Sequence, residues 1–195
     1  ARDIWSLIAE APGMTVSRFD VGGSTAGTQT GYTAYGTGGQ NRVQLGGVNT
    51  TEGTDAAGFY MDYGAFEEVS FGISSAADAS MPTPGVFINT VLKSGGNEMH
   101  GDVYFDYENS SLQGNNISKD ADLVKQGVGV GTRIVKYYDP NGDVGGRIRR
   151  DKLWFYTSWR WQEIQTTTTG WPFNDPNNPG PDFLTRLRNG TYKLT

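Results

Sequence analysis

The chain has 195 residues, 16 Lys and Arg against 21 Asp and Glu, a net charge of −5 and no cysteine. That balance, with a pI near 4.8, excludes general nucleic-acid binding, which needs a basic footprint to displace counterions; the missing thiols exclude disulfide scaffolds, thiolate catalysis and zinc–thiolate sites. Gly supplies 28 residues, about twice the usual ~7%, and aromatic residues make up 12% although only 36% of the chain is apolar, too many rings for a disordered segment. Gly, Thr, Asn and aromatics in this proportion specify strands and turns, and the class is mostly β. No run of about 18 apolar residues encodes a membrane helix, but β-strands cross a bilayer with only ~9–11 alternating residues.

In chain order, Asp3 to Ala11 is predicted as a short helix. Asp3 stands at the N-cap, Ile4, Leu7, Ile8 and Ala11 share one face, and Pro12-Gly13 ends it. Met14 to Phe19 follows as a strand. Val21 to Gln40 is rich in Gly, Thr, Ser and Tyr without a period and is read as a loop. Arg42 to Leu45 forms a strand entering the tight turn Gly46-Gly47-Val48-Asn49, and Thr50 to Met61 is again loop-like. Ala65 to Ser70 is a strand, and Pro84 to Lys93, with Val86, Phe87, Ile88, Val91 and Leu92 in one short run, reads as a buried one.

The pattern changes after Ser94-Gly95-Gly96-Asn97-Glu98. From His100 to Tyr107, Gly101, Val103, Phe105 and Tyr107 hold one parity and His100, Asp102, Tyr104 and Asp106 the other. Glu108 to Asp143 is rich in Asn, Gly and Asp and is expected to be a long loop, interrupted by an apolar-alternating piece at Thr132 to Tyr138. Beyond the basic turn Arg149–Lys152, Leu153, Phe155, Thr157, Trp159 and Trp161 alternate with Trp154, Tyr156, Ser158, Arg160 and Gln162 up to Ile164. Thr166 to Pro181 reads as loop and Phe183 to Thr195 as a last strand. A twelve-residue strand with one aromatic and one polar face, joined to its neighbour by a short turn, has the build of an outer-membrane barrel strand. A water-soluble sandwich with one wet face shares that alternation.

Motifs for covalent chemistry are missing. His100 is the one histidine and no Gly-x-Ser-x-Gly elbow accompanies it; no spacing of His and carboxylates marks a metal site. Glu67 and Glu68 are adjacent, so a regular strand would send them to opposite faces. Asp139-Pro140-Asn141-Gly142-Asp143 resembles the start of a calcium loop, but Val144 stands where that loop needs Gly and Arg150 where it needs Glu; it reads as a turn. Gly127 to Gly131 lacks the Lys-Ser/Thr of a phosphate loop. The expectation is a protein that is no enzyme and carries no cofactor or metal. Tyr32, Tyr35, Phe59 and Tyr60, on Gly-rich loops, are the candidate ligand-binding residues, since aromatic rings on loops give contact area at low entropic cost.

The order of these elements resembles a known family. Ile8-Ala-Glu-Ala-Pro-Gly-Met-Thr-Val16 is similar to the L-x-x-x-P-G-V-x-V opening of the plug domain of TonB-dependent outer-membrane transporters. Arg42 to Asn49 resembles its Asp-Gly-Val strand and turn, with Gly46 in place of the acidic residue. Phe66-Glu-Glu-Val-Ser70 resembles a further plug strand, and Thr83 to Lys93 the G-G-V-I-N-I-V-T-K close. Ser94-Gly-Gly-Asn-Glu-Met-His-Gly101 looks like the entry into the first barrel strand, and Gly145 to Phe155 like an early barrel hairpin. The Phe-Glu-Glu strand and the Asn-Glu-x-His-Gly junction are most similar to the Oar-like branch; the Ile-Arg-Gly strand of other plugs is not evident.

The resemblance implies an α+β plug domain over 1–98 followed, over 99–195, by the first antiparallel β-strands of a transmembrane β-barrel of about 22 strands. It implies the outer membrane of a Gram-negative bacterium, uptake or surface binding of a bulky nutrient, and a TonB-type energising protein engaged through a segment before Ala1; the chain is expected to be a fragment. Outer-membrane lipid and surface or envelope proteins are the further partners. The plug loops around Thr25–Gln40 and Thr54–Met61 would floor the binding site. Phe105, Tyr107, Phe155, Trp159 and Trp161 are expected to face lipid, and Asp102, Asp106 and Arg160 the lumen. An envelope scaffold of the same build and a soluble carbohydrate-binding sandwich are the rival readings.

Overall fold

The computed structural model describes residues 8–17, 31–36, 38, 41–52, 62–73, 85–114, 119–126, 133–167 and 182–195. The chain divides into two compact units, one comprising Ala1–Asp102, Gly142–Trp159 and Asn189–Thr195, the other Val103–Asn141 and Arg160–Arg188.

In the first unit, residues 8–9 are helical, and the turn that follows leads through Gly13, at φ 77°, into β1 (Met14–Val16). β1 pairs antiparallel with β2 (Tyr32–Ala34), Met14 opposite Ala34 and Val16 opposite Tyr32. β2 lies within the stretch expected to be a loop. Its Gly and Thr content hides a three-residue alternation in which Tyr32 and Ala34 turn inward and Thr33 pairs its hydroxyl with that of Thr15 at 2.6 Å.

β3 (Arg42–Leu45) and β4 (Val48–Asn49) form a hairpin. Its two turn residues, Gly46 and Gly47, have φ of 54° and 86°, the doubly positive backbone that a two-residue hairpin turn demands and that Gly adopts without Cβ strain. β5 (Phe66–Ile73) and β6 (Val86–Leu92) complete a four-stranded sheet of order β4-β3-β6-β5. β3 and β6 run parallel and the other pairs antiparallel. A 3₁₀ turn, Tyr63–Ala65, introduces β5 and is capped by Asp62, whose carboxylate accepts from Gly64 N at 2.9 Å.

Ile8, Met14, Tyr32, Ala34, Val43, Val86 and Ile88 form the core of this unit. Two buried polar residues stitch it without leaving a donor stranded. Asn41 donates to Tyr32 O at 2.8 Å and accepts from Val86 N at 2.9 Å, and Thr90 donates to Gln44 O at 3.0 Å. Buried amides and hydroxyls are tolerated on that condition.

The remaining strands are long: β7 (His100–Asn109), β8 (Ile134–Arg149, 16 residues), β9 (Leu153–Thr167, 15 residues) and β10 (Asp182–Leu194, 13 residues), paired in the order β10-β9-β8-β7. A short helix, α1 (Ala121–Lys125), lies between β7 and β8. The whole of Asp139–Asp143, expected to be a turn, is strand interior. Asp139, Asn141 and Asp143 are buried while Pro140 and Gly142 alternate with them; the period of two outweighs the turn-prone composition. β8 and β9 meet at the tight turn Arg150–Lys152, where Lys152 N donates to Arg149 O at 3.1 Å and Asp151 adopts φ 57°.

Candidate functional site

The inward faces of β8 and β9 are polar columns. Along β8, Tyr137, Asp139, Asn141 and Asp143 are buried at every second position; along β9, Tyr156, Ser158, Arg160, Gln162 and Ile164 are. Alternation alone produces this, because successive side chains leave opposite faces of a strand.

Asp143 anchors the polar node of the first unit. Its side chain is 3% exposed and accepts from Lys93 Nζ at 2.8 Å, Tyr156 OH at 3.3 Å and Asp102 N at 3.2 Å. Lys93 directly follows β6, so this ion pair ties the end of the N-terminal sheet to β8. A second tie lies four residues on. Asn97 Oδ1 accepts from Asp151 N at 3.0 Å and from Trp154 Nε1 at 2.9 Å, and Asn97 Nδ2 donates to the Asp151 carboxylate. Gly95 packs so closely that a Cβ there would collide with the carbonyl oxygens of Phe155 and Gly146. The Ser94–Gly101 motif thus grips the β8–β9 hairpin. From β10, Lys193 Nζ donates to Leu92 O at 3.1 Å and to Ser94 Oγ at 2.7 Å.

The polar node of the second unit centres on Asp139. Arg160 grips it with two nitrogens, Nε donating to Oδ1 at 2.8 Å and Nη2 to Oδ2. Tyr137 OH donates to Oδ2 at 3.0 Å, and Gln162 Nε2 donates to both Tyr137 OH at 3.1 Å and Oδ2 at 3.3 Å. Both charges are essentially solvent-free, with side chains 1% and 2% exposed. Charge is matched to charge, which is the condition for burying ions at tolerable cost, while Gln162 Oε1 is buried without a hydrogen-bond partner among the described residues.

Of the expected site residues, Arg160 lies on this buried face, and Trp159 and Trp161 on the opposite, exposed one. Phe155 shares their parity and is half-buried. Phe105 and Tyr107 are exposed, while Asp106, on the other parity, accepts from Tyr104 OH at 3.1 Å. Asp102 is exposed and meets Asp143 through its backbone N–H.

Tyr32 is not a surface aromatic: it is 2% exposed and belongs to the core, because strand alternation turns it inward. Tyr35 is 71% exposed, at φ 49°, its ring lying over Gly13 where any side chain would clash. Phe59 and Tyr60, with the whole of Thr54–Met61 and most of Thr25–Gln40, lie outside the described residues. Glu67 and Glu68 are not on opposite faces: a bulge between Phe66 and Glu68 exposes both, and both line a cleft of about 270 Å³ with Tyr63, Lys93 and Asp102. His100 contacts the Glu98 carbonyl at 3.2 Å and packs on Gly145; among the described residues it has no carboxylate or hydroxyl partner.

Sequence reasoning missed Asp139, Asp143, Tyr137, Tyr156, Gln162 and Lys93. The signal was present in Asp139-x-Asn141-x-Asp143, three polar residues at a period of two, but Pro140 and Gly142 masked it.

Comparison with known proteins is consistent with this geometry. Residues 91–178 match the family model described as outer membrane beta barrel domain. No curated protein matches the chain. Among solved structures, the siderophore receptor PirA from Acinetobacter baumannii superposes with a TM-score of 0.59 at 16% identity, over 83% of this chain and 22% of that one. The chain therefore spans less than a quarter of that receptor's length. Long alternating strands, a polar inner face, an aromatic outer face and the barrel-domain match together support an outer-membrane β-barrel domain, of which β7–β10 form an open four-stranded sheet. Its location is the outer membrane.

Proposed function

We propose that this chain is part of a TonB-dependent receptor of the Oar-like kind, in which residues 1–98 act as the plug of a barrel that opens with β7, and that it takes up or holds a bulky nutrient without covalent chemistry. One observation carries the reading. The N-terminal mixed sheet passes directly into the first long strand through Ser94–Met99, and Lys93 and Asn97 fasten that passage to Asp143 and to the β8–β9 turn. A domain joined to a barrel by a half-buried ion pair and an interlocked glycine is built to stay seated against the strand wall. The fold of a siderophore receptor supports the same reading and makes ferric siderophores the first substrate class to test. Energy would come from a TonB-type partner that adds a short segment of the receptor to its own sheet.

The test uses the full-length protein in its own outer membrane. Accumulation of iron from a labelled ferric siderophore, and growth on glycans or peptides as sole carbon source, are measured with and without a protonophore. Protein-dependent accumulation that collapses on de-energisation is the expected result. Binding of these compounds that is indifferent to the protonophore, with no accumulation inside the cell, overturns the energised reading and favours a surface scaffold.

A further inference from the structure

The outward face of the second unit carries a feature that uptake does not use. At the end of β8, β9 and β10 remote from the Arg150–Lys152 turn, Lys136, Glu163 and Arg186 stand side by side on three adjacent strands. Glu163 accepts from Lys136 Nζ at 3.4 Å and from Arg186 Nε at 3.0 Å. The Arg186 side chain stays 58% exposed and that of Lys136 43%. A third cation, Arg188, lies over the Trp161 ring with its guanidinium 4.5 Å from the centroid, and Lys136 Nζ lies 5.5 Å from that of Tyr138, which packs edge-on against Phe105 at 5.4 Å. Three cations therefore face outward around Glu163, while Asp182, on the same parity at the start of β10, accepts from Gln165 at 2.7 Å; positive charge still exceeds negative, and aromatic rings border the cations on the same face. In a membrane strand, rings settle at the headgroup level and long basic side chains reach outward to the polar layer.

We infer that this cationic collar binds an anionic, phosphate-bearing lipid headgroup in the leaflet it meets. Charge complementarity selects that occupant: a neutral lipid offers nothing to the excess of positive charge, and a guanidinium presents a planar fork that matches phosphate oxygens. The Arg186 Nη groups have no partner among the described residues, so Glu163 orients Arg186 through Nε while leaving the fork open. This end of the strands bears the long connections 110–133 and 168–181, whereas the opposite end bears the tight turn. Short turns lie on the periplasmic side of such barrels, and the collar accordingly meets the outer leaflet.

Full-length protein, purified in a neutral detergent, is titrated with phosphatidic acid and with phosphatidylcholine of the same acyl chains, and bound lipid is counted by native mass spectrometry. Phosphatidic acid is expected to bind, and phosphatidylcholine to bind far more weakly. The triple variant Lys136→Gln, Arg186→Gln, Arg188→Gln should weaken phosphatidic acid binding by about two orders of magnitude, at about 1 kcal/mol per basic residue near an anionic surface and 1.4 kcal/mol per factor of ten. Heat-modifiable migration of the same sample shows whether the barrel has formed. If the triple variant does not form it, Glu163→Gln decides: removing the carboxylate between Lys136 and Arg186 should tighten phosphatidic acid binding several-fold. Unchanged affinity in a folded triple variant, unchanged or weaker affinity in Glu163→Gln, or equal binding of the two lipids overturns the inference. So does displacement of phosphatidic acid by inorganic phosphate at equal concentration, which would mark a site for free anions.

Discussion

The buried pair Asp139–Arg160 should respond to substitution in a way that distinguishes a network from a simple attraction. At 2.8 Å and an effective dielectric of 20, the Coulomb attraction is about 6 kcal/mol. Desolvating each ion costs several kcal/mol, so the pair as a whole contributes close to nothing, whereas removing one member costs about 3–5 kcal/mol. Asp139→Asn should fall in that range for a geometric reason as well. Oδ1 accepts from Arg160 Nε, and Oδ2 accepts from Arg160 Nη2, Tyr137 OH and Gln162 Nε2. Either amide flip therefore sets an NH₂ against an arginine nitrogen that can only donate. The double variant Asp139→Leu, Arg160→Met removes both charges and should lie within about 1 kcal/mol of wild type. Denaturant unfolding of the full-length protein in detergent, with heat-modifiable migration as a second reading, supplies both numbers. A loss below about 1 kcal/mol in Asp139→Asn, or a double variant as weak as the single one, refutes the argument.

Two further pairs of substitutions test the geometry elsewhere. Gly95→Ala places a methyl against the Phe155 and Gly146 carbonyls, backbone atoms that cannot step aside; it should cost at least about 1–3 kcal/mol, while Gly96→Ala, with nothing within 4 Å, should stay within about 0.5 kcal/mol, both read by the same unfolding experiment. In bilayers containing brominated lipid, Trp161→Phe should reduce the quenched share of tryptophan fluorescence because Trp161 is 46% exposed on the outward face, whereas Trp154→Phe, which removes a ring held by Asn97, should not; equal effects would place both rings in one environment.

Much of this fold was legible because it obeys a period of two. β9 could be read from Leu153 to Ile164 with its aromatic and polar faces, since each face is chemically uniform, and the strand in fact continues to Thr167. The Gly46-Gly47 turn was legible because a two-residue hairpin loop needs positive φ at both positions. β8 was not. Its inward face carries carboxylates and Asn, its outward face Pro140, Gly142 and Val144, and no local rule separates such a strand from a loop; pairing with β7 and β9 decides it. β2 escaped for a related reason, three residues being too few for a period to emerge from Gly and Thr neighbours. The bulge at Phe66–Glu68 is likewise set by pairing with β6, and it reverses the facing of one of two adjacent glutamates. Of the polar site, only Arg160 was foreseen. Its partners were hidden because a salt bridge across strands depends on register, which the sequence of one strand does not contain.

Burial is unequal across the other ion pair, and the inequality predicts an order of damage opposite to intuition. The Lys93 side chain is 29% exposed and that of Asp143 only 3%, so the lysine has water within reach and the carboxylate does not. Replacing Asp143 with Asn frees Lys93 to turn its ammonium outward along a flexible stem, and the amide oxygen can still accept from Asp102 N; the expected cost is about 1–2 kcal/mol, the value of the hydrogen bonds lost. Replacing Lys93 with Met leaves a buried carboxylate supported only by Tyr156 OH at 3.3 Å and Asp102 N at 3.2 Å, both long for charged acceptors. That loss should approach the 3–5 kcal/mol of an uncompensated buried charge. The exposed partner is thus the costlier one to remove. Unfolding of Lys93→Met and Asp143→Asn side by side in the full-length protein tests the order directly, and a larger loss in Asp143→Asn would mean that Asp143 reaches water through a path that its burial denies.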